Sequence, residues 1–112
     1  MATEHILNLE EYRTHNSRVF SGRPRGESVR RRSRIDTLEQ EYDKIKIEIP
    51  ADIGSINPSF LEEFLFNVVK KLGKDGFHKK IEFVCLGRYD IEEDLSEAIN
   101  HILKQNNALA LA

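Results

Sequence analysis

Lys44-Ile45-Lys46-Ile47-Glu48-Ile49-Pro50 is followed, after a short loop, by Asn57-Pro58-Ser59-Phe60-Leu61-Glu62-Glu63-Phe64-Leu65-Phe66-Asn67-Val68-Val69-Lys70-Lys71-Leu72-Gly73. The two stretches have different periods, and that difference decides the fold. In the first, isoleucines alternate with Lys46 and Glu48, as in a strand with one apolar and one wet face. In the second, Phe60, Leu61, Phe64, Leu65, Val68, Val69 and Leu72 recur at the helical period and form a wide apolar stripe. Asn57 suits the N-cap, and Pro58 the first helical position, where no amide donor is needed. Gly73 is expected to stop this helix. A strand with one wet face requires its helices on the other.

Downstream, Lys80 to Leu86 predicts a further strand, expected to be the more central because it is the more apolar. After a turn over Gly87 to Asp90, Ile91 to Gln105 predicts a helix with Ile91, Leu95, Ala98, Ile99, Ile102 and Leu103 inward. Glu92, Glu93 and Asp94 sit at its positive end, and Asn106 to Ala112 either extends it or frays. Upstream, His5 to Leu9 reads as a first strand and Val19-Phe20 as a very short second one. Ser21 to Gly26, with two glycines and a proline, has the composition of a loop. Glu27 to Tyr42 predicts a helix, with Val29, Ile35, Leu38 and Tyr42 on one face and Arg30, Arg31, Arg32 and Arg34 over the rest. Strands alternating with helices give an α/β fold: a small mixed or mostly parallel sheet, right-handed crossovers, and helices mainly on one face. A chain of 112 residues accommodates one such domain, 1–112, with its core at about 19–103.

Seventeen Lys and Arg against nineteen Asp and Glu, a net charge of -2, argue against a general nucleic-acid binder. No apolar run approaches the ~20 residues of a membrane span. No secretory pattern opens the chain, and a single cysteine, Cys85, suits a reducing compartment, so a cytoplasmic location is expected. His5, His15, His78 and His101 lack metal-ligand spacing, and neither metal nor cofactor is expected. Cys85, between Val84 and Leu86, reads as a small buried hydrophobe. No set of nucleophile, acid and base emerges, so no catalysis is expected. Arg23 and Arg25, beside flexible backbone, suit recognition of a carboxylate or phosphate on a partner. The run Arg30 to Arg34, without interleaved aromatics, reads as a solvated helix face before it reads as a nucleic-acid contact. Ser59 stands second in the strong helix, where a phosphate is expected to meet free amides and the positive end of the dipole.

Ile45-Lys46-Ile47-Glu48-Ile49-Pro50, then Ile53-Gly54-Ser55-Ile56-Asn57-Pro58-Ser59-Phe60-Leu61-Glu62-Glu63-Phe64, resembles the STAS-like domain family of unknown function. Members of that family carry a hydrophobic strand, a short loop and a Ser-Phe-x-acidic-Glu helix start. Gly22-Arg23-Pro24-Arg25-Gly26-Glu27-Ser28-Val29-Arg30 is similar to the family's glycine turn and arginine-bearing helix. The family in turn resembles anti-sigma-factor antagonists, whose STAS domains bind a kinase-like ATPase. In those relatives an Asp-Ser-Ser-Gly sequence opens the second helix, and its second serine is phosphorylated. Ser59 matches that serine by position; Asn57 stands for the aspartate, Pro58 for the first serine and Phe60 for the glycine. The resemblance implies a non-catalytic regulatory module for protein–protein interaction. Its docking surface would comprise Ser55, Asn57, Ser59, Phe60, Glu62 and Glu63 together with Arg23, Arg25, Arg30 and Arg31. Ser59 is the candidate phosphorylation position, and the partner is another protein, a kinase-like ATPase being the implied one. The alternative is a small inhibitor from a phage or mobile element that blocks a nucleic-acid enzyme through the Arg30 to Arg34 surface.

Overall fold

The computed structural model describes residues 3–111, with side chains through Lys104. Its elements are β1 (Glu4–Asn8), a 3-10 turn (Leu9–Tyr12), β2 (Val19–Phe20), α1 (Arg23–Ser33), α2 (Ile35–Glu41), β3 (Lys44–Ile49), β4 (Ser55–Ile56), α3 (Pro58–Lys80), β5 (Ile81–Cys85) and α4 (Glu92–Leu111). Strands β1, β3 and β5 form a three-stranded sheet in that spatial order, and β2 pairs with β4 in a separate ribbon. Both sheets are wholly parallel.

The order β1-β3-β5 steps in one direction without reversal. Right-handed crossovers that always step the same way deliver their helices to the same face. The isoleucine alternation matches this topology: Ile45, Ile47 and Ile49 are at most 1% exposed, whereas Lys44, Lys46 and Glu48 are half-exposed. The register sets Glu4, Ile6 and Asn8 on one flank of these polar residues, and Glu82 and Val84 on the other. Lys46 reaches Glu4 at 3.4 Å and Lys44 reaches Glu82 at 3.8 Å across that open face. Beneath the covered face, Phe20, Phe60, Phe64 and Phe77 join the aliphatic side chains in one core.

Three expectations need correction. The helix foreseen over Glu27 to Tyr42 begins earlier, at Arg23, because Gly22 at φ 89° turns the chain straight into it with Pro24 in its first turn. It is then cut in two by Arg34, which adopts the left-handed conformation (φ 58°, ψ 36°) while its N–H still bonds Arg30 O. Gly73 does interrupt α3, at φ 73° and ψ 177°, but the chain resumes helix to Lys80 and buries Phe77. The third concerns the sheet: β3, the alternating strand, is central, and the more apolar β5 lies at an edge. Apolarity in β5 thus does not reflect flanking strands on both sides. Toward the C-terminus the backbone of α4 continues to Leu111, so most of the tail extends the helix; Ala112 lies outside the described residues.

Candidate functional site

Strands β2 and β4 are two residues each, and each feeds directly into a helix, α1 and α3. Their pairing, Val19 with Ser55 and Phe20 with Ile56, is continued by Gly54 N–H to Arg18 O (2.7 Å) and Asn57 N–H to Phe20 O (2.8 Å). The two helices therefore start side by side. Gly26 sets their spacing: a Cβ built there falls 2.3 Å from Phe60 O and 3.0 Å from Glu63 Cβ. Only a residue without a side chain permits this approach. Two arginines secure it. Arg23 Nη2 lies 3.1 Å from Glu62 Oε1, and Arg30 Nη1 donates to Glu63 O at 2.7 Å. Both guanidinium groups also stand 3.7 Å from the Glu63 carboxylate. The glycine–arginine segment and the Ser55 to Glu63 segment thus form one continuous region.

That packing redistributes the residues expected to contact a partner. Phe60 is fully buried against Phe20 and Phe64, so it shapes the surface from beneath and offers no contact; this corrects its reading as a docking residue. Glu62 is also buried, its side chain 11% exposed, because it accepts from Arg23 and from His101 of α4. It serves as a strut between three helices. Arg30 and Glu63 are largely spent on each other. Ser55, Asn57, Arg25 and Arg31 remain exposed, and Ser59 half-exposed; Arg31, 72% exposed, has only Glu27 at 3.9 Å.

Asn57 caps α3 as its sequence position suggests, and in doing so it takes the free amides. Its Oδ1 accepts from Ser59 N–H and from the Ser59 hydroxyl, each at 3.1 Å. Its carbonyl accepts from the N–H of Phe60 (3.0 Å) and of Leu61 (3.2 Å). Pro58 has no N–H. A phosphate at Ser59 therefore gains the helix dipole but meets no unpaired first-turn amide there, contrary to the expectation from sequence.

Three contributors were not foreseen from the sequence. Tyr89 places its phenol oxygen 2.6 Å from Asp94 Oδ2 and 3.1 Å from Ile56 O, fastening the β5–α4 turn to β4. Burial, then the Asp94 hydrogen bond, pushes its pKa above the ordinary phenol range. His101 reaches Glu62 from one helix away. Arg13 grips Asp52 through both carboxylate oxygens (2.8 and 2.9 Å), Glu10 at 2.8 Å and the carbonyl of Ser17. All five of its N–H groups are engaged, and the cleft of about 590 Å³ beside it, lined also by His15, Asn16 and Arg18, has no free donor from Arg13. Its hydrogen bonds hold Asp52 below the usual carboxylate range and raise its own pKa. The pairings that cross the fold carry no local sequence signal, since their partners lie 33 to 39 residues apart.

Burial raises the pKa of the Cys85 thiol, which disfavours the thiolate. Among the described residues no group of three or more His, Cys, Asp and Glu is arranged to hold a metal ion, and no helix is long and apolar enough to cross a membrane. Compared with family models, curated proteins and solved structures, the chain matches none.

Proposed function

We propose that this chain is a non-catalytic regulatory module that docks another protein through the end of the molecule where α1 and α3 begin. The observation that carries this reading is the seating of Gly26 on the Phe60 carbonyl. It joins the two segments quoted for the STAS-like resemblance into one rigid surface with Ser59 half-exposed upon it. The charged groups below that surface neutralise one another in ion pairs, which supports a scaffold role over an acid–base role. Ser55, Asn57, Ser59 and Arg25 form the contact set at the helix starts, with Arg31 in the last turn of α1 extending it along that helix, and the partner is a protein of the cytoplasm, a kinase-like ATPase being the kind the resemblance favours. Ser59 is the position at which a phosphate switches docking: it adds about two negative charges to a contact that must otherwise desolvate only a hydroxyl.

The test is affinity purification of the full chain from its source cells, identification of what co-purifies, and calorimetric titration with the purified partner. Ser59→Asp and Arg25→Glu are each expected to weaken that binding at least tenfold while leaving thermal stability near wild type. A partner bound equally well by both variants would place the interface elsewhere and sink this reading.

A further inference from the structure

β5 has β3 on one side and, among the described residues, no strand on the other. One hydrogen bond fixes which of its groups face outward. Leu86 N–H donates to Ile49 O at 3.0 Å, so even-numbered positions turn toward β3. Backbone groups alternate sides along a strand, which turns Ile81, Phe83 and Cys85 outward. Ile81 N–H is already bonded to Phe77 O at the end of α3. The N–H and C=O of Phe83 and Cys85 remain, without a backbone partner among the described residues. Sheet edges are ordinarily blunted by lysine, proline or a bulge. Ile81-Glu82-Phe83-Val84-Cys85 contains neither lysine nor proline, and the next residue, Leu86, is 55% exposed.

We propose that β5 pairs antiparallel with β5 of a second copy of this chain, about a two-fold axis through Val84, merging two three-stranded sheets into one. A second copy is the occupant because the edge is self-matching. With Val84 opposite its own counterpart, Phe83 of each copy faces Cys85 of the other, and each such pair exchanges both backbone bonds. Glu82, the one charged residue of β5, then faces Leu86 of the other copy, so within positions 82–86 no like charges are opposed and the methylenes of the glutamate cover the exposed leucine; Lys80 and Arg88 flank the strand on its two ends and confine the pairing to those positions.

Size-exclusion chromatography with light scattering tests this on the full chain. The expected mass is twice the 13.0 kDa of one chain at tens of micromolar, an order-of-magnitude concentration for an interface of a few backbone bonds and little area. Val84→Lys, whose side chain points to the solvent face, sets two ammonium groups at closest approach and is expected to halve that mass without lowering the melting temperature. The register is read separately by Glu82→Cys with Leu86→Cys in a Cys85→Ser background, expected to form an intermolecular disulfide under mild oxidation. A wild-type chain that stays monomeric into the hundreds of micromolar overturns the proposal. So does a dimer that survives Val84→Lys and gives no cross-link between positions 82 and 86.

Discussion

Replacing Gly26 by alanine adds one methyl group to the tightest contact between α1 and α3. That methyl falls 2.3 Å from the Phe60 carbonyl oxygen and 3.0 Å from Glu63 Cβ. An ordinary carbon–oxygen contact is about 1 Å longer, and the obstacle is backbone in the first turn of a long helix, which cannot rotate away. The helices must separate, and Arg23 and Arg30 must follow or lose their partners. Overpacking of this kind costs about 1–3 kcal/mol, and the contact with backbone places Gly26→Ala toward the upper end. Alanine returns about 1 kcal/mol through its better helix propensity. The net expectation is a loss of about 1–2 kcal/mol, or roughly 5–10 °C in Tm for a domain of this size. Gly76→Ala is the control. Its Cβ meets only Leu72 Cβ, at 3.2 Å, so the propensity gain is opposed by far less crowding and the variant should match or exceed wild type. Urea unfolding followed by far-ultraviolet circular dichroism reads both, as a shift in midpoint at unchanged slope. If Gly26→Ala proves as stable as wild type, α1 is not seated on the Phe60 carbonyl, and the single surface built from the two segments falls with it.

Phe64, fully buried at the centre of the α3 stripe, should cost about 3–5 kcal/mol when cut to alanine; a loss below about 1 kcal/mol in the same assay would put the stripe against solvent or a partner. Ser59→Asp gives up the hydroxyl bond to Asn57 but gains the helix dipole, so its stability is expected within about 1 kcal/mol of wild type, and a larger loss in a thermal melt would contradict the half-exposed placement. Because Arg13 depresses the Asp52 pKa, the pair stabilises the fold above the ordinary carboxylate range, and the contribution disappears as pH falls through the lowered folded value. Asp52→Asn should therefore be less stable than wild type at neutral pH, with the gap closing in acid; a gap independent of pH in denaturation curves would refute the pairing. Nucleic-acid binding is expected to be weak, indifferent to sequence and steeply salt-dependent, and tight binding by fluorescence anisotropy at physiological salt, lost in an Arg25/Arg31/Arg34 triple alanine variant, would favour the nucleic-acid-enzyme inhibitor instead.

Periodicity carried the fold class because both its signals are local. The alternation at Ile45, Ile47 and Ile49 and the stripe from Phe60 to Leu72 each name a buried face without reference to anything distant. The break at Arg34 was illegible for the opposite reason. Nothing in arginine favours the left-handed region, and the conformation is imposed by what surrounds it: Ser33 and Ile35 on either side are buried, as is Glu39, which bonds Lys71 at 2.8 Å and pairs with Lys80 at 3.5 Å. Strand order was misjudged because apolarity reports burial of side chains, whereas centrality is a matter of which backbone edges are paired. Site residues were legible as a group and not as individuals. The arginines of α1 and the glutamates of α3 were both marked as partner contacts, but sequence shows charges singly, and only the fold shows that Arg23 and Arg30 meet Glu62 and Glu63.

That mutual engagement also ranks the cations available to an anionic partner. Glu62 is nearly enclosed, and its neighbours are the Arg23 guanidinium and the His101 imidazole. A partner that draws Arg23 away leaves a buried carboxylate with a single imidazole for support, and an uncompensated buried charge costs about 3–5 kcal/mol. Arg30 is held in a similar way, by the Glu63 carbonyl and carboxylate together. Arg25 is exposed and Arg31 has only a long contact to Glu27, so moving either exposes nothing that was buried. In the proposed docking, an acidic group on a partner would be met by Arg25 and Arg31 at little cost, while Arg23 and Arg30 keep the two helix starts in place. The same arginine-rich segment therefore divides by position into residues engaged in ion pairs that hold α1 on α3 and residues that remain exposed.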